Sequence, residues 1–216
     1  MASMMCADYS NLRKEVEALD AGGIDSFHID IMDGRYVPNY AMSLNDLRYI
    51  RSATEKPLDV HLMIEQPVRY VEAFCKAGAD LVNVHVESDS EENLLRAIKL
   101  VKAQGKKTGV TLKPKTPAET VKPYLGLVDL ILIMTVEPGF GGQRFMHDML
   151  PKICALRELV EACAPGTEIE VDGGIDASTA PLVTAAGANV LVAGSAVFGK
   201  TDRAAAIRAI RENAVG

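Results

Sequence analysis

The feature that most constrains the fold of this chain is an eightfold alternation between short apolar runs and longer segments with helical periodicity. The runs are rich in β-branched and aliphatic residues and show little polar alternation, which is typical of parallel strands covered on both faces. The predicted strands are Ser3–Cys6, Ser26–Ile31, Leu58–Met63, Leu81–Val86, Thr108–Leu112, Leu130–Thr135, Glu168–Val171 and Val190–Ala193. The predicted helices are Asn11–Ala21, Leu44–Ser52, Val68–Ala77, Glu91–Gln104, Pro117–Tyr124, Met149–Cys163, Ser178–Ala186 and Asp202–Asn213.

Eight strand–helix units in 216 residues predict an α/β fold, a (β/α)8 TIM barrel of minimal size. A doubly wound open sheet alternates in the same way, but it usually contains fewer strands in this length. Because no linker, charge block or low-complexity segment divides the chain, we expect residues 1–216 to form a single domain.

The composition excludes several classes of partner. A net charge of −6 argues against nucleic acid or an anionic membrane surface as the main partner. No apolar stretch is long enough to span a bilayer, and the first residues lack the basic region and apolar run of a signal peptide. We therefore expect a cytoplasmic protein that acts on a small molecule.

Polar side chains that are costly to bury lie at the ends of four predicted strands. They are His28 and Asp30, His61, His85, and Asp172. In a barrel of this kind the carboxyl ends of the strands form one catalytic rim. A single histidine at a strand end is more often a hydrogen-bonded core residue than a ligand, but the convergence of imidazoles and carboxylates favours a divalent transition-metal site. Zn²⁺ is the default, with Fe²⁺, Mn²⁺ or Co²⁺ as alternatives. For His85, a structural role and a contact with substrate stay open.

Three glycine-rich turns also follow predicted strands. They are Glu137–Gln143 after the sixth strand, Gly173-Gly174 after the seventh and Gly194-Ser195 after the eighth. Glycines allow backbone N–H groups to converge on an anion, and the last loops of such barrels are recurrent phosphate sites. Each turn alone is a weak signal, but together they favour a phosphorylated small-molecule ligand.

Five segments carry a resemblance to a known family. In chain order they are His28-Ile29-Asp30-Ile31-Met32-Asp33-Gly34 with Val37-Pro38-Asn39, Leu58-Asp59-Val60-His61-Leu62-Met63, Met134-Thr135-Val136-Glu137-Pro138-Gly139-Phe140-Gly141-Gly142-Gln143, Glu170-Val171-Asp172-Gly173-Gly174 and Val192-Ala193-Gly194-Ser195-Ala196. Through them the whole chain resembles the ribulose-phosphate 3-epimerase family. The resemblance implies a barrel of the ribulose-phosphate-binding type.

The resemblance also implies an activity and its residues. One divalent metal ion would be held by His28, Asp30, His61 and Asp172. Asp30 and Asp172 would be the catalytic acid–base pair, one on each face of the substrate, interconverting D-ribulose 5-phosphate and D-xylulose 5-phosphate through a cis-enediolate. This reaction belongs to carbohydrate metabolism, in the pentose phosphate pathway. The family further suggests a homo-oligomer, either a dimer or a hexamer.

Further family positions are expected to bind the phosphorylated ketose. The implied substrate-binding residues are Ser3, Met32, His61, Met63, Met134, Gly139, Phe140, Gly141, Gly142, Gly173, Gly174, Gly194 and Ser195. On periodicity alone the three methionines would instead be ordinary barrel core.

Three alternatives stay open. The segment Ala2–Cys6 departs from the usual first strand of the family and leans towards the related allulose-6-phosphate 3-epimerases, which would convert D-allulose 6-phosphate to D-fructose 6-phosphate. A Schiff-base aldolase would need a reactive lysine inside the barrel, for which Lys113 is the candidate. A non-catalytic phosphosugar-binding barrel would keep the glycine turns but tolerate loss of Asp30 or Asp172.

Overall fold

The computed structural model describes residues 1–214, so the last two residues of the predicted domain lie outside the described part. Within this described part, eight parallel strands form one sheet in the order of the sequence. A parallel bridge between Ala2 and Ala193 joins the end of the eighth strand to the first. The strands are β1 Ala2–Ser3, β2 Phe27–Met32, β3 Leu58–Met63, β4 Leu81–His85, β5 Lys107–Leu112, β6 Leu130–Met134, β7 Glu168–Asp172 and β8 Val190–Val192. The predicted (β/α)8 barrel is therefore confirmed.

Helices cover the outside of the barrel. They are α1 Leu12–Ala21, α2 Leu44–Arg51, α3 Val71–Ala77, α4 Glu91–Ala103, α5 Leu150–Cys163, α6 Ala180–Ala185, α7 Ser195–Phe198 and α8 Arg203–Ala214. The short α7, which directly follows the last glycine turn, was not predicted. Among residues 1–214, no helix has both the length and the apolar character needed to cross a membrane.

Two predicted elements differ from the structure in type over most of their length. The first strand contains only Ala2–Ser3, and Met4–Cys6 form a 3-10 helix, so the predicted strand Ser3–Cys6 was wrong. The segment predicted as a helix at Pro117–Tyr124 is a 3-10 helix at Ala118–Tyr124 that contains Pro123. Proline lacks the N–H of an α-helical hydrogen bond and clashes with the preceding turn, which accounts for the tighter geometry.

The two faces of β2 separate core from site. Phe27, Ile29 and Ile31 belong to the main hydrophobic core under the helices, whereas His28 and Asp30 point into the barrel. Strand β2 pairs with β3 in a register that places Asp30 beside His61. The same period of two places further polar pairs on the inner face, namely Asp59 and His61 on β3, Asn83 and His85 on β4, and Glu170 and Asp172 on β7.

Candidate active site

Strands β2, β3 and β7 bring the predicted metal ligands together inside the barrel. His28, Asp30, His61 and Asp172 each contribute one donor atom, and the four atoms all lie within 4.8 Å of one another. The Nε2 of His28 lies 3.2 Å from the Nδ1 of His61. The Oδ1 of Asp30 lies 3.4 Å from that Nδ1 and 3.5 Å from that Nε2. The Oδ2 of Asp172 is 3.9 Å from the Nε2 of His28.

This donor set fits a divalent metal. Two imidazole nitrogens and two carboxylate oxygens are the ligands that Zn²⁺, Fe²⁺, Mn²⁺ and Co²⁺ accept. Tetrahedral ligands at about 2.0–2.2 Å from a metal lie roughly 3.3–3.6 Å apart. The separations of 3.2, 3.4 and 3.5 Å among His28, Asp30 and His61 fall in or next to this range. The cluster could therefore hold a metal with little rearrangement of the three side chains.

A deeper polar layer supports His28 from below, and the sequence analysis assigned it no role. The Nδ1 of His28 lies 2.7 Å from the Oδ2 of Asp59, whose Oδ1 accepts a hydrogen bond from the Nδ2 of Asn83 at 2.8 Å. The Asn83 amide occupies space that only glycine leaves free, because a Cβ at Gly109 would lie 1.8 Å from its Oδ1. The Oε1 of Glu170 lies 3.2 Å from the same Nδ1. The available signal was the spacing, since Asp59 and Glu170 each precede a predicted ligand by two residues.

The carboxylates of the site attract positive charge. Although burial opposes the charged form, Asp30 and Asp59 raise the pKa of His28 well above its ordinary value. Burial raises the pKa of Asp172 to about 6, with Asp30 adding to the rise and His28 opposing it. Burial, and after it the charge of Asp59, raises the pKa of Glu170 to about 8. The site thus concentrates negative charge that a cation can neutralise.

The side chain of His85 contacts His61 and does not line the cavity that lies above the cluster. Its side chain is fully buried, and its Nε2 lies 2.8 Å from the Nε2 of His61. Burial lowers the pKa of His85 to about 4, so its ring is neutral near pH 7. Of the two roles left open by the sequence, this geometry favours orientation of a neighbouring side chain.

A cavity of about 960 Å³ opens above the cluster. Asp30 and Asp172 reach it, whereas His28 and His61 are fully buried beneath. The Oγ of Ser3 donates a hydrogen bond to the Oδ2 of Asp30 at 2.7 Å. Twelve of the predicted substrate-binding residues line the cavity, and His61 does not: they are Ser3, Met32, Met63, Met134, Gly139, Phe140, Gly141, Gly142, Gly173, Gly174, Gly194 and Ser195.

The glycine turns form one wall of this cavity. Gly173 follows β7 with a φ of +124°, and a Cβ there would lie 2.5 Å from the Cγ2 of Val136. The loop carbonyl of Gly173 accepts a hydrogen bond from the Oγ1 of Thr135 at 2.6 Å. Two cationic side chains, Arg144 and Lys200, line the same cavity. The lining of the cavity therefore includes both glycine-rich backbone and positive charge, which suit an anionic ligand.

Lys113 does not occupy the position that a Schiff-base aldolase would need. Its Nζ lies 3.8 Å from the centroid of the Tyr36 ring. The lysine follows β5 and stands outside the cavity that Asp30 and Asp172 reach.

Comparisons with known proteins identify the family of the chain. The family model described as the ribulose-phosphate 3 epimerase family matches residues 1–198. The ribulose-phosphate 3-epimerase of Bacillus subtilis (strain 168) is 49% identical over 210 residues, covering 97% of this chain and 96% of the relative. The chloroplastic ribulose-5-phosphate-3-epimerase of Arabidopsis thaliana is 46% identical, covering 97% of this chain and 74% of the relative.

Solved structures with low sequence identity share the fold alone. A 3-hexulose-6-phosphate synthase from Salmonella typhimurium superposes with a TM-score of 0.75 at 17% identity, covering 99% of this chain and 97% of the other. The KGPDC of Streptococcus mutans superposes with a TM-score of 0.74 at 12% identity, covering 99% and 95%. The family match and the identities to its curated members, by contrast, confirm the predicted enzyme class: the chain belongs to the ribulose-phosphate 3-epimerase family.

Proposed function

We propose that the chain is a metal-dependent ketose-phosphate 3-epimerase that interconverts D-ribulose 5-phosphate and D-xylulose 5-phosphate. The observation that carries the proposal is the meeting of Asp30 and Asp172 in one histidine–carboxylate cluster at the floor of a glycine-walled cavity. The names of the relatives, which are ribulose-phosphate 3-epimerases, support the pentulose substrate. The matches give no specific support to the six-carbon alternative.

The proposed chemistry needs two carboxylates with separate tasks. To invert a carbon next to a ketone, one base removes the C3 proton and a second acid delivers a proton from the opposite face. Asp30 and Asp172 enter from strands β2 and β7, which lie on different sides of the barrel. Ser3 holds one oxygen of Asp30, so that carboxylate has a fixed orientation. Met32, Met63 and Met134 line the cavity and would limit exchange of the transferred proton with water.

His28, Asp30, His61 and Asp172 would hold the metal. When bound, a divalent cation stabilises negative charge that develops on the substrate oxygens, by several kcal/mol in typical cases. Zn²⁺ is the first candidate, and Fe²⁺, Mn²⁺ and Co²⁺ suit the same donors. Asp59 would keep the Nδ1 proton of His28 in place, leaving its Nε2 free to face the cluster.

The substrate phosphate is assigned to the glycine wall, and Gly173→Ala tests this assignment. At a φ of +124° a side chain is strained by about 1–3 kcal/mol, and its Cβ would also meet Val136. We expect a lower Tm and a KM for the ketose phosphate raised about tenfold or more, since a lost charge-assisted hydrogen bond costs roughly 1.5–3 kcal/mol. Steady-state kinetics and thermal unfolding measure both effects. Gly166→Ala is the matched control, because a Cβ at Gly166 meets no atom within 4 Å, and an equal rise in KM there would contradict the assignment.

Three broader features are part of the proposal. They are a single domain over residues 1–216, a cytoplasmic location, and assembly as a homo-oligomer, either a dimer or a hexamer. The family resemblance supports the last of these, and light scattering of the purified protein tests it.

The decisive experiment compares substrates. We expect kcat/KM for D-ribulose 5-phosphate to exceed that for D-allulose 6-phosphate, together with about one equivalent of transition metal per chain and loss of activity on chelation. A higher kcat/KM for the six-carbon substrate would overturn the pentulose assignment. Trapping of a substrate–lysine adduct by borohydride would instead support an aldolase.

A further inference from the structure

We propose that Glu87 is a positioning residue for the metal ligand His61, acting through His85. The inference rests on the metal site of the proposed function. It assigns a task to a carboxylate that follows β4, lies outside the cluster of four ligands and does not line the cavity that Asp30 and Asp172 reach.

The direction of the hydrogen bonds follows from the ligand atom. His61 presents Nδ1 to the cluster, and a nitrogen that binds a metal must be unprotonated, so the ring proton of His61 sits on Nε2. That nitrogen lies 2.8 Å from the Nε2 of His85, which must therefore accept. The proton of His85 is then on Nδ1, which lies 3.3 Å from the Oε2 of Glu87. Glu87 thus stands at the accepting end of a relay that fixes the tautomer of His61.

The two oxygens of Glu87 are both in use. Oε1 accepts hydrogen bonds from the backbone N–H of Lys113 at 2.9 Å and from the hydroxyl of Thr116. Oε2 accepts from the hydroxyl of Tyr36 at 3.0 Å and faces the Nδ1 of His85. Four donors around one side chain require a carboxylate, because an amide offers only one accepting oxygen.

The arrangement of the rings fixes the geometry of the relay. The rings of His61 and His85 meet edge to edge, with centroids 4.9 Å apart and an interplanar angle of 25°, and the centroid of the Tyr36 ring lies 4.9 Å from that of His85. The Nζ of Lys113 lies 3.8 Å from the centre of the Tyr36 ring. Glu87 therefore connects the loops that follow β2, β4 and β5 to a buried ligand, so the orientation of His61 depends on those loops.

The test is the affinity for metal rather than activity. Purified Glu87→Gln, stripped and titrated with Zn²⁺ against a chromophoric chelator, should bind about 10–100-fold more weakly than wild type. The absorption spectrum of the Co²⁺ form should also change, because the His61 ligand is reoriented. Glu65→Gln is the matched control, since Glu65 forms a surface pair with Arg35. Thr116→Val removes a bond to Oε1 alone and should lower the Tm without changing the Zn²⁺ affinity.

A second variant tests the same relay in case Glu87→Gln misfolds. His85→Phe keeps a ring between His61 and Tyr36 but removes both nitrogens, and it should weaken Zn²⁺ binding to a similar extent. If both variants bind Zn²⁺ within twofold of wild type, the relay is overturned and the metal site stands. If wild type itself binds no divalent metal, the proposed metal site fails and the relay fails with it.

Discussion

Replacing Asp172 by asparagine is expected to lower kcat by about 10²–10⁴-fold, the usual contribution of a positioned acid or base. The amide keeps the shape and one oxygen of the side chain, but it cannot take up and release a proton as a carboxylate does. Asp172 is 16% exposed and ends β7 at the floor of the cavity, so the barrel should remain folded. Steady-state kinetics on both epimers and thermal unfolding measure the two expectations.

Exchange of the C3 proton with solvent deuterium distinguishes the loss of one base from the loss of the whole active site. If each carboxylate serves one epimer, the Asp172→Asn enzyme should still exchange the C3 proton of one epimer through Asp30, without converting it to the other. Asp148→Asn, at an exposed position, controls for the substitution itself. Turnover above a small percentage of wild type in Asp172→Asn would count against the two-base scheme.

The barrel could be predicted because the strands after the first are recognisable in the sequence. β3 was predicted with the observed bounds, Leu58–Met63, since its apolar run begins directly after Pro57 and ends at a polar turn. β1 could not be predicted in the same way. It contains only two residues and owes its place to pairing with β2 and with Ala193, which are contacts distant in sequence.

The histidine–carboxylate cluster could be predicted for a similar reason. His28 and Asp30 share a face by the period of two, and the carboxyl ends of β3 and β7 meet them at one rim. The polar layer that supports His28 could not be predicted in this way. Asp59 and Glu170 lie deeper in the barrel, two residues before His61 and Asp172 on the same strands. Only the closed sheet shows that both face the Nδ1 of His28.

Glu87 was missed because its importance depends on distant contacts. It lies outside β4, at a position where a charged residue is ordinarily a solvated loop side chain. Its donors come from Tyr36, 51 residues before it, and from Thr116, 29 residues after it. Such a convergence of loops has no periodic signal, so the sequence predicts the strand-borne part of the site better than the loop-borne part.

Asp30→Asn should lose turnover, and it should lose more metal affinity than Asp172→Asn, because Asp30 lies closer than Asp172 to the histidine nitrogens. The Oδ1 of Asp30 lies within 3.5 Å of ring nitrogens of His28 and His61, and its Oδ2 accepts a hydrogen bond from the Ser3 hydroxyl. An amide could keep its oxygen towards the cluster and turn its NH2 to Ser3, so the fold should persist while one negative charge is lost. We expect kcat to fall by at least about 10²-fold and Zn²⁺ content after dialysis to fall below that of wild type.

The exchange experiment then gives the opposite pattern to that of Asp172→Asn. Any remaining exchange of the C3 proton with deuterium should occur in the epimer that Asp172 deprotonates. Ser3→Ala is the control for the hydrogen bond alone, and it should retain metal, because the Ser3 hydroxyl contacts Oδ2 of Asp30, whereas Oδ1 is the oxygen next to the histidine nitrogens. Full metal content together with full activity in Asp30→Asn would refute both roles. If the carboxylate of Asp30 binds the cation and moves the proton, its replacement by an amide must reduce both metal content and activity.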